Sequence, residues 1–193
     1  SFSRFDYPSA LPAEVQARMG RIACQVALAH GLEQTLFNLE MFYDPARERL
    51  TIIELNPRLC GQFGDLYSKV DGVSSFALAL ALAGGDTPLA ARREGPFAHA
   101  ASVPLRTFAA VVVRRAPGAA EQRAAEARFP GTLVWSEVES GAELCVGLDV
   151  EDGASVRYAV VNLGAASRAD IESKLADIVR TLDYRLVPAA ERR

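Results

Sequence analysis

The sequence contains few of the residues that form disulfides or bind zinc. Among 193 residues there are three cysteines and two histidines, and Cys24, Cys60 and Cys145 are widely spaced, with no Cys-x-x-Cys pair. This spacing argues against a disulfide framework and against a structural zinc site. Three reduced thiols are typical of a reducing compartment, so we expect a cytoplasmic protein.

Long apolar runs and dense charge of one sign are also missing. The longest apolar run, from Phe76 to Ala83, is far shorter than the ~20 residues that cross a bilayer, and no signal-peptide pattern opens the chain. The formal net charge is -3, with 21 Lys and Arg against 24 Asp and Glu. We therefore expect neither a membrane-spanning protein nor a nucleic-acid-binding one.

The chain is expected to fold, because 50% of its residues are hydrophobic. Apolar spacing predicts a helix over residues 12–30, with one apolar face repeating every three or four residues. Two strands, 36–43 and 50–55, follow and are joined by a short polar loop, which predicts an antiparallel hairpin. Residues 57–71 are predicted to be irregular, and 73–83 a buried apolar helix.

A second part of the chain is predicted beyond a connector at residues 86–97, which contains Thr-Pro, Arg-Arg and Gly-Pro pairs. We place the two domains at residues 1–97 and 98–193. The second is predicted to contain strands within 98–113 and at 133–138, 144–150 and 156–163, and helices at 119–129 and 167–182. Helices and strands do not alternate regularly, so we expect an α+β fold.

Two acidic residues are predicted to face each other across the hairpin. If the hairpin closes symmetrically about position 47, Glu40 lies opposite Glu54, and Asn56 lies one step diagonal on the same face. Like charges placed opposite each other on a sheet are unfavourable, so solvation, a bound cation or protonation of one carboxyl must offset the repulsion. Two carboxylates and an amide oxygen suit Mg²⁺ or Mn²⁺. A solvated face that carries two acids by chance is the alternative.

An arginine follows this predicted metal site closely. The string Glu54-Leu55-Asn56-Pro57-Arg58 brings an acid, an amide and a guanidinium together at the end of a strand. A guanidinium can bind an anion through two hydrogen bonds. A metal ion beside an arginine is the combination that phosphoryl transfer requires.

The chain resembles the ATP-grasp superfamily, in particular biotin carboxylase and carbamoyl-phosphate synthase relatives. The resemblance is carried by Phe37-Asn38-Leu39-Glu40-Met41-Phe42, by Ile53-Glu54-Leu55-Asn56-Pro57-Arg58 and by Tyr67-Ser68-Lys69-Val70-Asp71-Gly72. It covers roughly residues 5–88, and residues 156–185 are similar to the C-terminal domain of biotin-carboxylase-like chains. It implies the C-terminal half of an ATP-grasp fold, followed by a small α+β domain.

The resemblance also implies roles for individual residues. It assigns binding of Mg²⁺ (or Mn²⁺) to Glu40, Glu54 and Asn56, contact with phosphate or an acyl phosphate to Arg58, and contact with the adenine of ATP to Phe42 and Ile53. Packing in the hydrophobic core would explain Phe42 and Ile53 almost as well. The implied activity is that of a ligase, which uses ATP to turn a carboxylate into an acyl phosphate and joins it to a nucleophile such as an amine.

The sequence departs from the family in its first part. Nothing before residue 30 can supply the first half of the ATP clamp, and there is no Gly-x-x-x-x-Gly-Lys loop. We therefore expect a C-terminal fragment that is inactive alone, with an apolar patch around Phe42 that would favour a homo-oligomer. A non-catalytic binding module and a biotin carboxylase subunit, with bicarbonate as the acid, are the alternatives.

Overall fold

The computed structural model describes residues 2–89, 92–147 and 153–189. In chain order its elements are β1 (Phe5–Tyr7), α1 (Ala13–Ala29), β2 (Asn38–Asp44), β3 (Arg49–Asn56), α2 (Gly61–Asp71), α3 (Ser75–Ala83), β4 (His99–Thr107), β5 (Val111–Arg115), α4 (Ala119–Arg128), β6 (Thr132–Ser136), β7 (Glu143–Leu144), β8 (Val156–Ala165), α5 (Arg168–Leu182) and β9 (Arg185–Pro188). This mixture of helices and sheets confirms the predicted α+β class.

The chain divides into two compact units. One is Pro8–Gly95, and the other combines residues 2–7 with the described residues from Pro96 onward. The first residues belong to the second unit because β1 pairs with β4 in an antiparallel register, with Phe5 opposite Ser102 and Tyr7 opposite Ala100. Residues 2–7 therefore lie outside the domain, 1–97, in which the sequence analysis places them.

The Pro8–Gly95 unit contains α1, the β2–β3 hairpin, α2 and α3. Helix α1 follows the predicted apolar spacing, with Val15 buried on its inner face, and it begins after Pro12, which suits a helix start. The hairpin forms a sheet of two strands. Among the described residues of this unit, the buried hydrophobic side chains are Val15, Leu66 and Val70.

Helix α2 corrects the prediction of an irregular segment at residues 57–71. The glycines at 61 and 64 lower the intrinsic preference for helix, but tertiary contacts override it. Leu66 and Val70 bury one face of the helix, and Gly64 lies where a Cβ atom would be 2.7 Å from Ser75 Oγ at the start of α3. The helix ends at Gly72, whose φ of 75° is in the left-handed region that favours glycine.

Helix α3 lies where the apolar run predicts a helix, but it is not buried as we expected. Its one buried residue is Ser75, and Phe76 is 54% exposed. Ser74 caps the helix by accepting a hydrogen bond from the Ala77 amide at 3.3 Å. The expectation of burial was wrong because the described part of this unit packs too few side chains around the helix.

The second unit has a well-defined hydrophobic core. Its four-stranded antiparallel sheet has the order β1-β4-β8-β6, and α4 and α5 pack side chains onto one of its faces. Fully buried members of this core include Val161, Leu163, Ile171 and Ile178. A second antiparallel sheet has the order β7-β5-β9. Part of the strand predicted at 144–150 falls outside the described residues.

Strand β6 is an edge strand of this sheet. Trp135 on β6 is 43% exposed, because alternate residues of the strand face away from the helices. The Val134 amide, on the same strand, donates a hydrogen bond of 2.8 Å to Glu126 Oε1 of α4. This carboxylate satisfies a backbone donor that would otherwise be available to another strand.

The structure also gives the state of the cysteines and the apolar character of the helices. Cys24, Cys60 and Cys145 are free thiols. Across the described ranges, no individual helix combines the length and the apolar character needed to span a membrane. Helices α2 and α3 meet that test only when they are taken together, and a bend of 107° separates them.

Candidate functional site

The turn of the β2–β3 hairpin is fixed by Asp44. Its Oδ1 accepts hydrogen bonds from the amides of Ala46 and Arg47 at 3.0 and 3.2 Å, and its Oδ2 accepts one from the Arg47 guanidinium at 2.8 Å. The hydrogen bonds from Arg47 lower the pKa of the Asp44 carboxyl. Asp44 pairs with Arg49 across the strands, so the turn sets the register from that end.

A β-bulge then changes the register before the predicted site. Met41 pairs with Ile52, but Glu40 pairs with Glu54, so Ile53 is the extra residue. With one-to-one pairing from the turn, Glu54 would lie opposite Leu39 and point to the other face of the hairpin. The predicted pairing of Glu40 with Glu54 is confirmed, whereas the predicted symmetry about position 47 fails on the turn side of the bulge.

Glu40 and Glu54 therefore lie directly opposite each other on one face. Glu40 is half-buried and Glu54 is exposed. Neither carboxylate forms an ion pair or a side-chain hydrogen bond with any residue that the structure describes. The repulsion between them is not offset by a basic side chain, which leaves a place for a cation or for water.

Asn56 and Arg58 lie together at the end of β3. The Arg58 amide donates to the Asn56 carbonyl at 2.8 Å, so the backbone turns tightly at Pro57. The Arg58 guanidinium also donates a long hydrogen bond of 3.4 Å to Asn56 Oδ1. The Arg58 side chain is exposed, and its contact with an anion stays a prediction.

Phe42 and Ile53 are not core residues in the described chain. Both side chains are 61% exposed. Phe42 lies two residues after Glu40 on β2, so it shares the face of the two carboxylates. Core packing therefore does not explain these residues, and contact with an adenine ring stays a prediction for both.

The third string that carries the family resemblance lies on α2, which follows Arg58 closely. Lys69 is buried and forms an ion pair with Asp65 one helical turn earlier. Asp71, also buried, accepts a hydrogen bond of 3.0 Å from the Arg93 amide. Burial, with the nearby Cys60 and Asp71, raises the pKa of Tyr67. These contacts hold α2 and the segment around residue 93 together.

The donor set on the hairpin fits a hard divalent cation only if other ligands complete the shell. Within the described ranges no group of three or more His, Cys, Asp and Glu side chains could hold a metal ion. The predicted set has two carboxylates and one carboxamide, all oxygen donors, which suits Mg²⁺ when phosphate oxygens and water supply the other ligands. Asn38, which the sequence analysis did not select, lies opposite Asn56 on the same face.

Comparison with known proteins identifies similar folds. No protein-family model matches the chain. Carnosine synthase 1 from Gallus gallus is 37% identical over 97 residues, which are 50% of this chain and 10% of that protein. The L-amino acid ligase from Bacillus licheniformis matches 98% of this chain and 45% of its own, at 14% identity and a TM-score of 0.68.

Two carboxylase structures are also similar in fold to the chain. A complex of biotin carboxylase from Campylobacter jejuni with β,γ-ATP matches 96% of this chain and 40% of its own, at 15% identity and a TM-score of 0.66. The biotin carboxylase domain of the Hydrogenobacter thermophilus 2-oxoglutarate carboxylase, in complex with MgADP, ADP and bicarbonate, matches 95% and 39%, at 15% identity and a TM-score of 0.62.

The chain thus spans about a tenth of the curated relative and less than half of each of these three solved structures. Identities of 14–15% establish the fold, while the sequence match to carnosine synthase adds a relationship across half of the chain. The resemblance drawn from the sequence is confirmed at the level of the fold: the described chain has the fold of part of an ATP-grasp protein, as seen in biotin carboxylases and an L-amino acid ligase.

Proposed function

We propose that the chain is the C-terminal part of an ATP-grasp ligase that activates a carboxylate with ATP and joins it to an amine. The observation that carries the proposal is the pair of directly opposed carboxylates, Glu40 and Glu54, with no counter-charge among the described residues and with Asn56 and Arg58 beside it. The ATP-grasp fold of the surrounding chain supports it.

The reaction would proceed in two steps, through an acyl phosphate. A carboxylate oxygen of the substrate forms a bond to the γ-phosphorus of ATP while the bond from that phosphorus to ADP breaks, which gives an acyl phosphate. The amine nitrogen then forms a bond to the carbonyl carbon, inorganic phosphate leaves and the nitrogen loses a proton. A Mg²⁺ or Mn²⁺ ion bound with ATP supplies positive charge that offsets the charge on the phosphate oxygens.

The residues of this chain have separate parts in that reaction. Glu40 and Glu54 hold the cation, and Asn56 adds a neutral oxygen. Arg58 contacts the transferred phosphoryl group and stabilises its negative charge through directed hydrogen bonds. Phe42 and Ile53 provide apolar surface near the nucleotide. Because the chain spans less than half of the structures that it matches, we expect no ATP turnover from these 193 residues alone.

An amine is the favoured nucleophile because the sequence relative is carnosine synthase and one fold relative is an L-amino acid ligase. A biotin carboxylase, with bicarbonate as the acid, is the second candidate, since two of the compared structures are of that kind and one of them contains bicarbonate. The two candidates differ in substrate. Amine-dependent release of phosphate by the longer protein supports the first, and bicarbonate-dependent release without an amine supports the second.

The site itself can be tested on the 193-residue chain by calorimetric titration with Mn²⁺, with and without ATP. We expect Glu54→Gln to weaken binding of Mn²⁺ alone, by about 10-fold or more, because it removes a charged ligand. Arg58→Ala should leave Mn²⁺ binding unchanged and weaken binding of the Mn²⁺–ATP complex, since the arginine contacts phosphate and not the metal. Arg21→Ala, which removes an exposed arginine of α1, is the matched control.

Three results would count against the proposal. Equal Mn²⁺ binding by the parent chain and by Glu54→Gln would contradict the proposed metal site. Equal loss of Mn²⁺–ATP binding in Arg58→Ala and Arg21→Ala would show that Arg58 acts only through the net charge of the chain and does not contact the phosphate. Robust ATP hydrolysis by the 193-residue chain would overturn the expectation that it is a part of the catalytic unit.

A further inference from the structure

The register of the hairpin adds a fourth side chain to the proposed site. We propose that Asn38 contributes its carboxamide oxygen to the same cation as Glu40, Glu54 and Asn56; this inference rests on the function proposed above. Asn38 lies directly opposite Asn56, and Glu40 lies directly opposite Glu54. Residues two apart on a strand share a face, so the four side chains form two adjoining cross-strand pairs on one face.

The state of the Asn38 side chain agrees with a role in binding. It is half-buried, and it forms no side-chain hydrogen bond within the described ranges of the chain. A polar group that is partly removed from water without a partner is unfavourable, and a ligand can supply that partner. Asn56, the residue opposite, already accepts the hydrogen bond from Arg58.

On the same face, the pair next to the carboxylates on the turn side offers one hydroxyl oxygen, whereas the Asn38–Asn56 pair offers two carboxamide oxygens. On the turn side of the two carboxylates the next pair is Phe42 with Thr51, and the pair beyond it is Asp44 with Arg49. The Asp44 carboxylate is occupied by the turn amides and by Arg47. The cation would therefore have an amide pair on one side, and the Phe42 ring with the Thr51 hydroxyl on the other.

The chemistry of a carboxamide suits this position. Two carboxylates already balance the charge of a divalent cation, and a third acid would add repulsion to the metal-free hairpin. Neutral carboxamide oxygens extend the coordination of a hard cation without that cost. Asn38 thus raises affinity for the cation while it leaves the balance of charge unchanged.

The experiment measures the affinity of the 193-residue chain for Mn²⁺ alone, by calorimetry, in variants that change position 38. Asn38→Ala should weaken binding by about 10-fold, since loss of a direct ligand should cost at least as much as loss of a residue that only supports the ligands. Asn38→Asp should tighten it by a similar factor, because affinity rises with the number of charged ligands. A purely structural role cannot produce this gain, since an added charge on the hairpin would only destabilise it.

Thr51 provides the matched control, because it lies on the same face but beyond the carboxylate pair. Thr51→Asp adds the same charge on the other side of the carboxylate pair, and it measures how much a nearby negative charge changes the affinity for Mn²⁺ without direct binding. Thr51→Ala measures how much the loss of a side chain on this face changes that affinity. Both should change the affinity by less than the corresponding changes at Asn38. If Asn38→Ala fails to fold, as judged by circular dichroism, the nearly isosteric Asn38→Asp decides the matter.

The outcomes separate this inference from the function on which it rests. If Asn38→Asp binds Mn²⁺ no more tightly than Thr51→Asp does, the role of Asn38 is overturned, while a weakened Glu54→Gln still supports the metal site. If the parent chain does not bind Mn²⁺ with or without ATP, the proposed site and the role of Asn38 both fail. If Asn38→Asp binds Mn²⁺ more tightly than the parent chain and Thr51→Asp does not, the result supports both the metal site and the role of Asn38.

Discussion

Substitution of Glu54 by Gln is expected to have opposite effects on the hairpin in the absence and in the presence of metal. Glu40 and Glu54 are directly opposed and lack a basic partner among the described residues. Without metal, removal of one charge relieves repulsion and should stabilise the hairpin. With metal, the same change removes a ligand and should make the hairpin less stable than the parent. A carboxylate kept only for solubility would not produce this reversal.

The magnitudes follow from the geometry. Two unit charges about 5 Å apart, the separation across a strand pair, repel by about 0.8 kcal/mol in a medium like water, and salt screens part of that. Since Glu54 is exposed, we expect Glu54→Gln to stabilise the metal-free hairpin by roughly 0.5 kcal/mol. At a Mn²⁺ concentration of 100 times the parent Kd, binding stabilises the parent by about 2.7 kcal/mol. A variant with about 100-fold weaker affinity gains only about 0.4 kcal/mol.

The assay is hydrogen–deuterium exchange of the backbone amides of β2 and β3, because it reports the opening of the hairpin and not of the whole chain. Exchange is compared in EDTA and in Mn²⁺. Glu33→Gln, which removes an exposed acid elsewhere in the same unit, controls for net charge and should show neither effect. Faster exchange of Glu54→Gln in EDTA, or equal protection of parent and variant by Mn²⁺, would refute the reasoning.

The remaining predictions concern the second unit. Gly164→Ala places a Cβ atom 2.5 Å from Phe97 Cδ2, so urea unfolding should show a loss of about 1–3 kcal/mol from overpacking. Ser167→Ala removes the acceptor of the 3.1 Å hydrogen bond from the Asp170 amide at the start of α5, and should cost about 1 kcal/mol in the same assay. Burial raises the pKa values of Tyr158 and Tyr184, whose rings are 5.1 Å apart. Tyrosines of the unfolded chain ionise near pH 10. The contribution of Tyr158 and Tyr184 to the free energy of unfolding is therefore fully present below that pH, and it is lost as the pH rises through their higher pKa values in the folded chain. Thermal unfolding as a function of pH measures this loss.

Matched variants test the cause of each effect. Gly20→Ala adds a methyl group to α1 where, apart from its neighbours and the backbone of the helix itself, nothing lies within 4 Å, so it should not destabilise the chain. Ser173→Ala, in the interior of α5, should cost less than the cap substitution because it removes no cap. Tyr158→Phe should flatten the alkaline limb of the profile. An unchanged alkaline limb, or equal losses in a variant and its control, would contradict the corresponding explanation.

The sequence determined the elements whose signals are local. Helix α1, the polar turn of the hairpin and helix α5 all occur where the pattern predicts them, because each depends on residues that are close in the chain. The pairing of Glu40 with Glu54 selected the face of the hairpin, and three short strings, among them Ile53-Glu54-Leu55-Asn56-Pro57-Arg58, carried the family resemblance. The proposed roles in metal and phosphate binding rest on that same local pattern.

The tertiary structure decided what depends on distant residues. Strand β1 joins the second unit because its partner, β4, lies more than ninety residues further along the chain. Helix α2 forms against the preference of its glycines because Leu66 and Val70 are buried, and Trp135 is exposed because it lies on the face of β6 that points away from the helices. The bulge at Ile53 brings Glu54 opposite Glu40, and the same register places Asn38 opposite Asn56. Symmetric closure of the hairpin predicted Glu40 opposite Glu54, but no periodicity could reveal the bulge or the partner of β1, because register and pairing depend on the partner strand and not on the strand itself.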